Sequence, residues 1–142
     1  MCFRVMITRR VNYMAKRLKN ELVTGNRSQA EAIIIDLLRF HFKKLKVLPN
    51  DKSAIGKELD IFLPELSAAI EVDGPTHFEP IFGEDKLKRT QERDRAKEEL
   101  CEQKGIHLFR IKLPKDSSNY FTAIKKELCE TLIPELKTLQ GL

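Results

Sequence analysis

Apolar residues change their spacing along the chain, and the changes divide it into helical and extended stretches. Val11, Met14, Leu18 and Leu22 recur at the interval of one helix face, which predicts an amphipathic helix over residues 5–22. Thr24-Gly25-Asn26-Arg27 breaks that pattern and Ser28 opens a clearer one. There Ala30, Ile33, Ile34, Leu37, Leu38, His41 and Leu45 form one stripe of a helix ending near Lys46, with Lys43, Lys44 and Lys46 where a helix C-terminus favours cations. Pro49-Asn50-Asp51 reads as a turn, so Lys46-Val47-Leu48 is a candidate short first strand.

Beyond this turn the apolar residues bunch into short runs. Leu59–Leu63 and Ala68–Asp73 read as strands joined by Pro64-Glu65-Leu66-Ser67, and Gly74-Pro75 stops the second. A loop through Pro80 and Gly83 leads to a long, highly charged helix over residues 84–104, closed by Gly105. Ile106–Ile111 reads as a further strand, and a last amphipathic helix is interrupted or ended near Pro134. The order α-α-β-β-β-α-β-α predicts an α/β fold with a central mixed sheet flanked by helices.

Composition adds bounds. A chain of 142 residues, 42% apolar and 33% charged, fits one compact globular domain. No apolar run approaches the roughly 18 residues a membrane span needs. Arg4, Arg9 and Arg10 interrupt any secretory leader, so a cytoplasmic protein without a membrane partner is expected. Cys2, Cys101 and Cys129 form no C-x-x-C pair for zinc and are expected as reduced thiols. The net charge of +5 is unevenly spread. Residues 1–46 carry eleven Lys and Arg against three acids, whereas the remainder is slightly acidic. Charge alone leaves two readings of Arg9, Arg10, Lys16, Arg17 and Lys19: a surface that faces a polyanion, or a solvated helix face.

The candidate chemistry lies in the two central strands. A four-residue connection pairs Leu63 with Ala68 and so sets Asp60 opposite Glu71, and alternation puts Asp73 on the same face. Like charges opposed on a hairpin are destabilising, and Ala68, Ala69, Ile70 and Val72 mark the strand as buried on both sides. The cluster therefore calls for a cation, and an oxygen-only donor set suits Mg²⁺ or Mn²⁺ better than zinc. His77 stands just past the strand end, in reach of the same spot. A plain polar face showing three acids to solvent is the competing reading. Glu31 has two readings as well: Ser28-x-x-Glu31 is a capping box, and Glu31 is also a candidate site acid.

Leu59-Asp60-Ile61-Phe62 followed by Ile70-Glu71-Val72-Asp73-Gly74-Pro75-Thr76-His77-Phe78 resembles the PD-(D/E)xK nuclease superfamily. Within it, the chain is most similar to the very-short-patch-repair-like branch and the EDxHD homing endonucleases. Ser28-Gln29-Ala30-Glu31, Glu92-Arg93-Asp94-Arg95, Gly105 and Leu108-Phe109-Arg110-Ile111 fall in matching order, so the resemblance covers residues 28–112. It implies a restriction-endonuclease-like αβββαβ nuclease core, and the basic helical extension expected over residues 1–27 and the C-terminal helix expected over 113–142 lie outside it. The superfamily's usual lysine would stand at position 73, where this chain has Asp73. The resemblance thus implies a lysine-free variant in which His77 or a metal-activated water assists proton transfer. Glu71–Phe78 is also similar to RAP-type RNA-binding domains, a fold derived from nucleases.

These readings together give an expectation of an Mg²⁺-dependent (or Mn²⁺-dependent) DNA endonuclease, of homing or very-short-patch-repair-like type. Asp60, Glu71 and Asp73 are the expected metal ligands, with His77 and Glu31 completing the catalytic set. Arg9, Arg10, Lys16, Arg17 and Lys19 are the expected contacts to double-stranded DNA. Cutting both strands requires two sites, hence an expected homodimer. The alternative is a RAP-like RNA-binding module without nuclease activity. Asp94, in a helix where i,i+4 charge pairs are common, is left open as a site residue.

Overall fold

The computed structural model describes residues 27–113, 124 and 126–141. The basic helix expected over residues 5–22, with Arg9, Arg10, Lys16, Arg17 and Lys19, lies outside the described residues, as does the Ser28 side chain. The elements are α1 (Arg27–His41), β1 (Leu48–Asp51), β2 (Leu59–Leu63), β3 (Ala68–Asp73), α2 (Glu84–Gln103), β4 (His107–Lys112) and α3 (Ile133–Leu139). Four strands form one open mixed sheet in the order β1-β2-β3-β4. The first three run antiparallel and β4 lies parallel to β3. A parallel neighbour needs a crossover, and α2 is that crossover.

The hairpin between β2 and β3 has the expected register, with Leu63 opposite Ala68 and Ile61 opposite Ile70. Its connection is a single 3₁₀ turn, Pro64–Leu66, closed by Ser67 in the left-handed conformation at φ 48°. Alternation then sorts β3. Ala68, Ile70 and Val72 join Ile61, Leu63 and Ile111 on one face, where Ala30, Ile33, Ile34, Leu37 and Leu38 of α1 cover them. Ile124, Leu128, Leu132, Ile133 and Leu136 complete this core from the C-terminal helical segment. On the other face Leu59 and Ala69 pack with Ile55 and with Cys101 of α2, flanked by Phe62, Leu100 and Leu108.

Three boundaries differ from expectation. The first strand is Leu48–Asp51, not Lys46–Leu48, so the Pro49-Asn50-Asp51 turn signal lies inside a strand. A proline without an N–H is tolerated there because β1 is an edge strand, and Asn50 takes up the irregularity at φ 50°. Helix α1 stops at His41 and the chain turns over the next residues, with the Leu45 amide donating to the Phe42 carbonyl. Near Pro134 the last helix is interrupted, not ended: a π-helical turn over Leu128–Leu132 leads into α3. Proline removes an amide from the helical ladder, and a widened turn just before it accommodates that loss. Helix α2 closes as expected, with Gly105 at φ 69° just beyond its C-terminus.

Candidate active site

Asp60, Glu71 and Asp73 are the buried acids of the sheet, 2%, 2% and 3% exposed. Alternation directs all three to the face beneath α2, since their neighbours Ile61, Ile70 and Val72 belong to the α1 core. Asp60 stands where regular pairing lapses on both sides. The β1 ladder runs from Pro49↔Ile61 to Asp51↔Leu59 around the left-handed Asn50, and the β3 ladder runs from Leu63↔Ala68 to Ile61↔Ile70. At that point the Val72 amide donates instead to Asp60 Oδ2, at 2.8 Å. A side chain thus replaces a strand partner, which holds Asp60 beside Glu71.

Glu71 carries the largest electrostatic load. Its pKa is pushed up from the usual carboxylic range to about 7, by burial first and then by the charge of Asp60 beside it. Two carboxyls this close favour a proton or neighbouring positive charge. Part of it comes from Lys97 of α2, whose Nζ lies 3.1 Å from Glu71 Oε1 and opposes the upward shift. The same crowding reaches Cys101, one helical turn on, whose thiol pKa is raised by burial and then by Glu71.

Asp73 has a different partner. Arg110 of β4, directly opposite Glu71 in the parallel ladder, reaches along the sheet and donates through Nη1 to both Asp73 oxygens, at 3.2 and 2.9 Å. The same guanidinium donates to Glu98 Oε1 at 2.8 Å and to the Asp94 carbonyl at 3.1 Å, tying β3, β4 and α2 together. Burial works against its charge, but Asp73, Asp94 and Glu98 outweigh it and raise the Arg110 pKa. His77 sits on the 3₁₀ turn Pro75–His77 just past β3. Its Nδ1 is 2.7 Å from Asp94 Oδ2 and 3.7 Å from Asp73 Oδ1. A carboxylate only accepts, so Nδ1 carries a proton, and in the neutral ring Nε2 keeps its lone pair.

Among the described residues, no group of three or more His, Cys, Asp and Glu side chains is arranged to hold a metal ion. The acids have different partners: Arg110 engages Asp73, and Lys97 engages Glu71 beside Asp60. Two carboxylates with oxygen-only donors nevertheless fit Mg²⁺, which keeps several waters and is commonly held by one or two acids plus substrate phosphate oxygens. Glu31 is half-buried on α1, the helix that packs on the opposite face of the sheet.

Sequence reasoning missed Lys97 and Arg110 as site residues and left Asp94 open. A signal existed in the helix: Asp94, Lys97, Glu98 and Cys101 fall at the i, i+3, i+4, i+7 positions of one α2 face. A cleft of about 370 Å³ opens beside this face, lined by Thr76, His77, Arg93, Asp94 and Lys97 among others. The larger groove, about 1040 Å³, runs past Lys57, Arg89 and Arg93 along the first half of α2; neither space is lined by the three acids, but the smaller one is lined by Lys97 and His77, which reach Glu71 and Asp73. The chemistry, not the volume, marks the smaller cleft. Among the described residues, no helix is long and apolar enough to cross a membrane. Comparison with protein-family models, curated proteins and solved structures gives no match.

Proposed function

We propose that this protein is a divalent-metal-dependent endodeoxyribonuclease whose site is Asp60, Glu71 and Lys97, flanked by His77. The observation that carries the reading is the Asp60–Glu71 pair. Two buried carboxyls sit side by side, each 2% exposed, burial and the charge of Asp60 push Glu71 up to about 7, and the Lys97 ammonium lies 3.1 Å from it.

The order α1-β1-β2-β3-α2-β4 supports a restriction-endonuclease-like core, since it is the arrangement that the Asp60, Glu71-x-Asp73 and His77 resemblance implies. In this reading Asp60 and Glu71 hold Mg²⁺ or Mn²⁺. The ion, when bound, polarises a phosphoryl oxygen and lowers the pKa of a water to near neutrality. Lys97 donates to a non-bridging phosphate oxygen entering from the cleft it lines, offsetting charge that builds up there. His77, with Nδ1 fixed by Asp94, offers Nε2 for proton transfer to or from the reacting oxygens. Arg110 acts through others, holding Asp73 and the α2 backbone at Asp94 so that His77 keeps its orientation. Lys97 thereby supplies from a helix the cation that position 73 lacks.

Supercoiled plasmid incubated with the protein and Mg²⁺ or Mn²⁺ should be nicked or linearised, and EDTA should stop it. Asp60→Ala should abolish cleavage while DNA binding survives, because a ligand is lost but so is repulsion with phosphate. No cleavage of DNA with either metal, or wild-type cutting by Asp60→Ala, overturns the reading. Turnover of RNA but not DNA would move the substrate class.

A further inference from the structure

We propose that Lys97 is a placeholder cation: its ammonium occupies Glu71 until a divalent ion arrives, then swings into the cleft to meet a phosphate. Cation binding and phosphate binding would then reinforce each other through one side chain. The inference rests on the metal reading above and adds the coupling.

The charges lead to it. The side chain of Glu71 is 3% exposed and Asp60 is 2% exposed, so water does little to screen them. At pH 8, with Glu71 ionised and Lys97 in place, the three groups sum to one negative charge. With a divalent ion also on the two carboxylates they would sum to one positive charge. An ammonium within hydrogen-bonding distance of Glu71 would then face a doubly charged neighbour across a poorly screened gap. The repulsion is relieved if the lysine leaves.

The structure gives it both the means and a destination. Lysine carries its charge on a flexible four-carbon stem, unlike the planar fork of arginine. The Lys97 side chain is 22% exposed, and its only described polar partner is Glu71. It lines the cleft of about 370 Å³ along with Arg93, Lys86 and Thr90, donors for a phosphate that outnumber the lining acids Glu79 and Asp94, the second of which is engaged by His77. Arg110 contrasts with it, held by Asp73, Glu98 and the Asp94 carbonyl at once. Among the described residues, Lys97 is thus the less restrained of the two cations beside the buried acids. Linkage makes the coupling reciprocal: metal frees the ammonium for phosphate, and phosphate, by retaining it, favours metal.

The test compares the full-length protein with Lys97→Met and Lys97→Gln, which remove the charge in apolar and polar form. Titration calorimetry with Mg²⁺ at constant ionic strength and pH 8, without DNA, reads the competition. Both variants should bind the ion more tightly than wild type, by about five-fold or more. Fluorescence anisotropy with a DNA duplex, with and without Ca²⁺ in place of Mg²⁺ to limit turnover, reads the coupling. Wild-type affinity should rise with the ion, and the rise should shrink in both variants. Equal or weaker Mg²⁺ binding in both variants, or an undiminished rise, overturns the placeholder and leaves the metal site standing. Absence of divalent binding in wild type overturns the metal reading, and the placeholder with it.

Discussion

The two faces of the sheet are built from alternate residues of the same strands, yet they follow different rules. Beneath α1, Ile61, Leu63, Ile70 and Val72 are fully buried in an apolar cluster of mostly leucines and isoleucines. Beneath α2, the alternate positions of the same strands are Asp60, Ala69, Glu71 and Asp73, and the apolar packing shrinks to Leu59, Ala69, Ile55 and Cys101 with their partly buried neighbours. One face gains stability from the removal of hydrocarbon from water. The other holds charge where water cannot solvate it, which only a partner or a ligand can offset. A slip of one residue in the hairpin would exchange the faces, so the register that protects the core also creates the site.

The contrast is open to attack from either side. The largest effect is expected at the rim of the charged face. His77→Ala should slow cleavage on the order of 10²–10⁴-fold with the fold intact. Normal rates in that variant would reduce the His77–Asp94 pair to scaffolding.

On the apolar face the sign reverses. Leu37→Ala, at a fully buried position, should lower unfolding free energy by about 2–5 kcal/mol in urea titrations. The fraction that stays folded should cleave at the wild-type rate. A rate loss beyond the loss of folded protein would show the two faces to be coupled.

The smallest effects are those of pH. Glu71 binds its proton more tightly folded, at about 7, than at its ordinary value of 4.5. Its contribution is therefore fully present below 4.5 and fades as pH rises through about 7. Glu71→Gln should unfold at higher temperature than wild type at pH 8 and at a similar temperature near pH 4. Mg²⁺ should raise the melting temperature of wild type at pH 8 and not that of the variant. His41, at the end of α1, behaves in the opposite sense: burial and then Lys137 lower its pKa from 6.5 to about 4. Its contribution is present above 6.5 and fades as pH falls through about 4, so His41→Gln should flatten the acid limb of the stability profile. If both substitutions shifted stability in the same pH direction, the electrostatic contrast between the two regions would be wrong.

Much of this was legible in the residue order because strands alternate and short hairpins fix register. Leu63 opposite Ala68 follows from a four-residue connection, and with it the common face of Asp60, Glu71 and Asp73. The helix over Glu84–Gln103 and its Gly105 close followed from charge periodicity and a C-terminal glycine. What escaped depends on contacts between segments far apart in the chain. Pro49 and Asn50 carry a local turn signal, and only the position of β1 at the sheet edge makes them strand. Nothing in the neighbourhood of Asp73 announces that Arg110, from the last strand, will claim both its oxygens. Lys97 was one charge among many on a helix until the crossover laid that helix over Glu71. Acids on one strand pair can be placed from sequence, whereas their counter-charges arrive by tertiary packing.

The Val72 amide that donates to Asp60 Oδ2 gives the protein a built-in gauge. An amide proton held by a carboxylate is shifted downfield, and the shift follows the negative charge left on the oxygen it faces. The Val72 side chain is fully buried in the α1 core, while its amide proton points within the sheet to Asp60. A single resonance in a nitrogen–proton correlation spectrum would thus track whatever draws electron density from Asp60. The apolar layer, chemically silent in itself, is the fixed post from which the occupancy of the acidic one can be read.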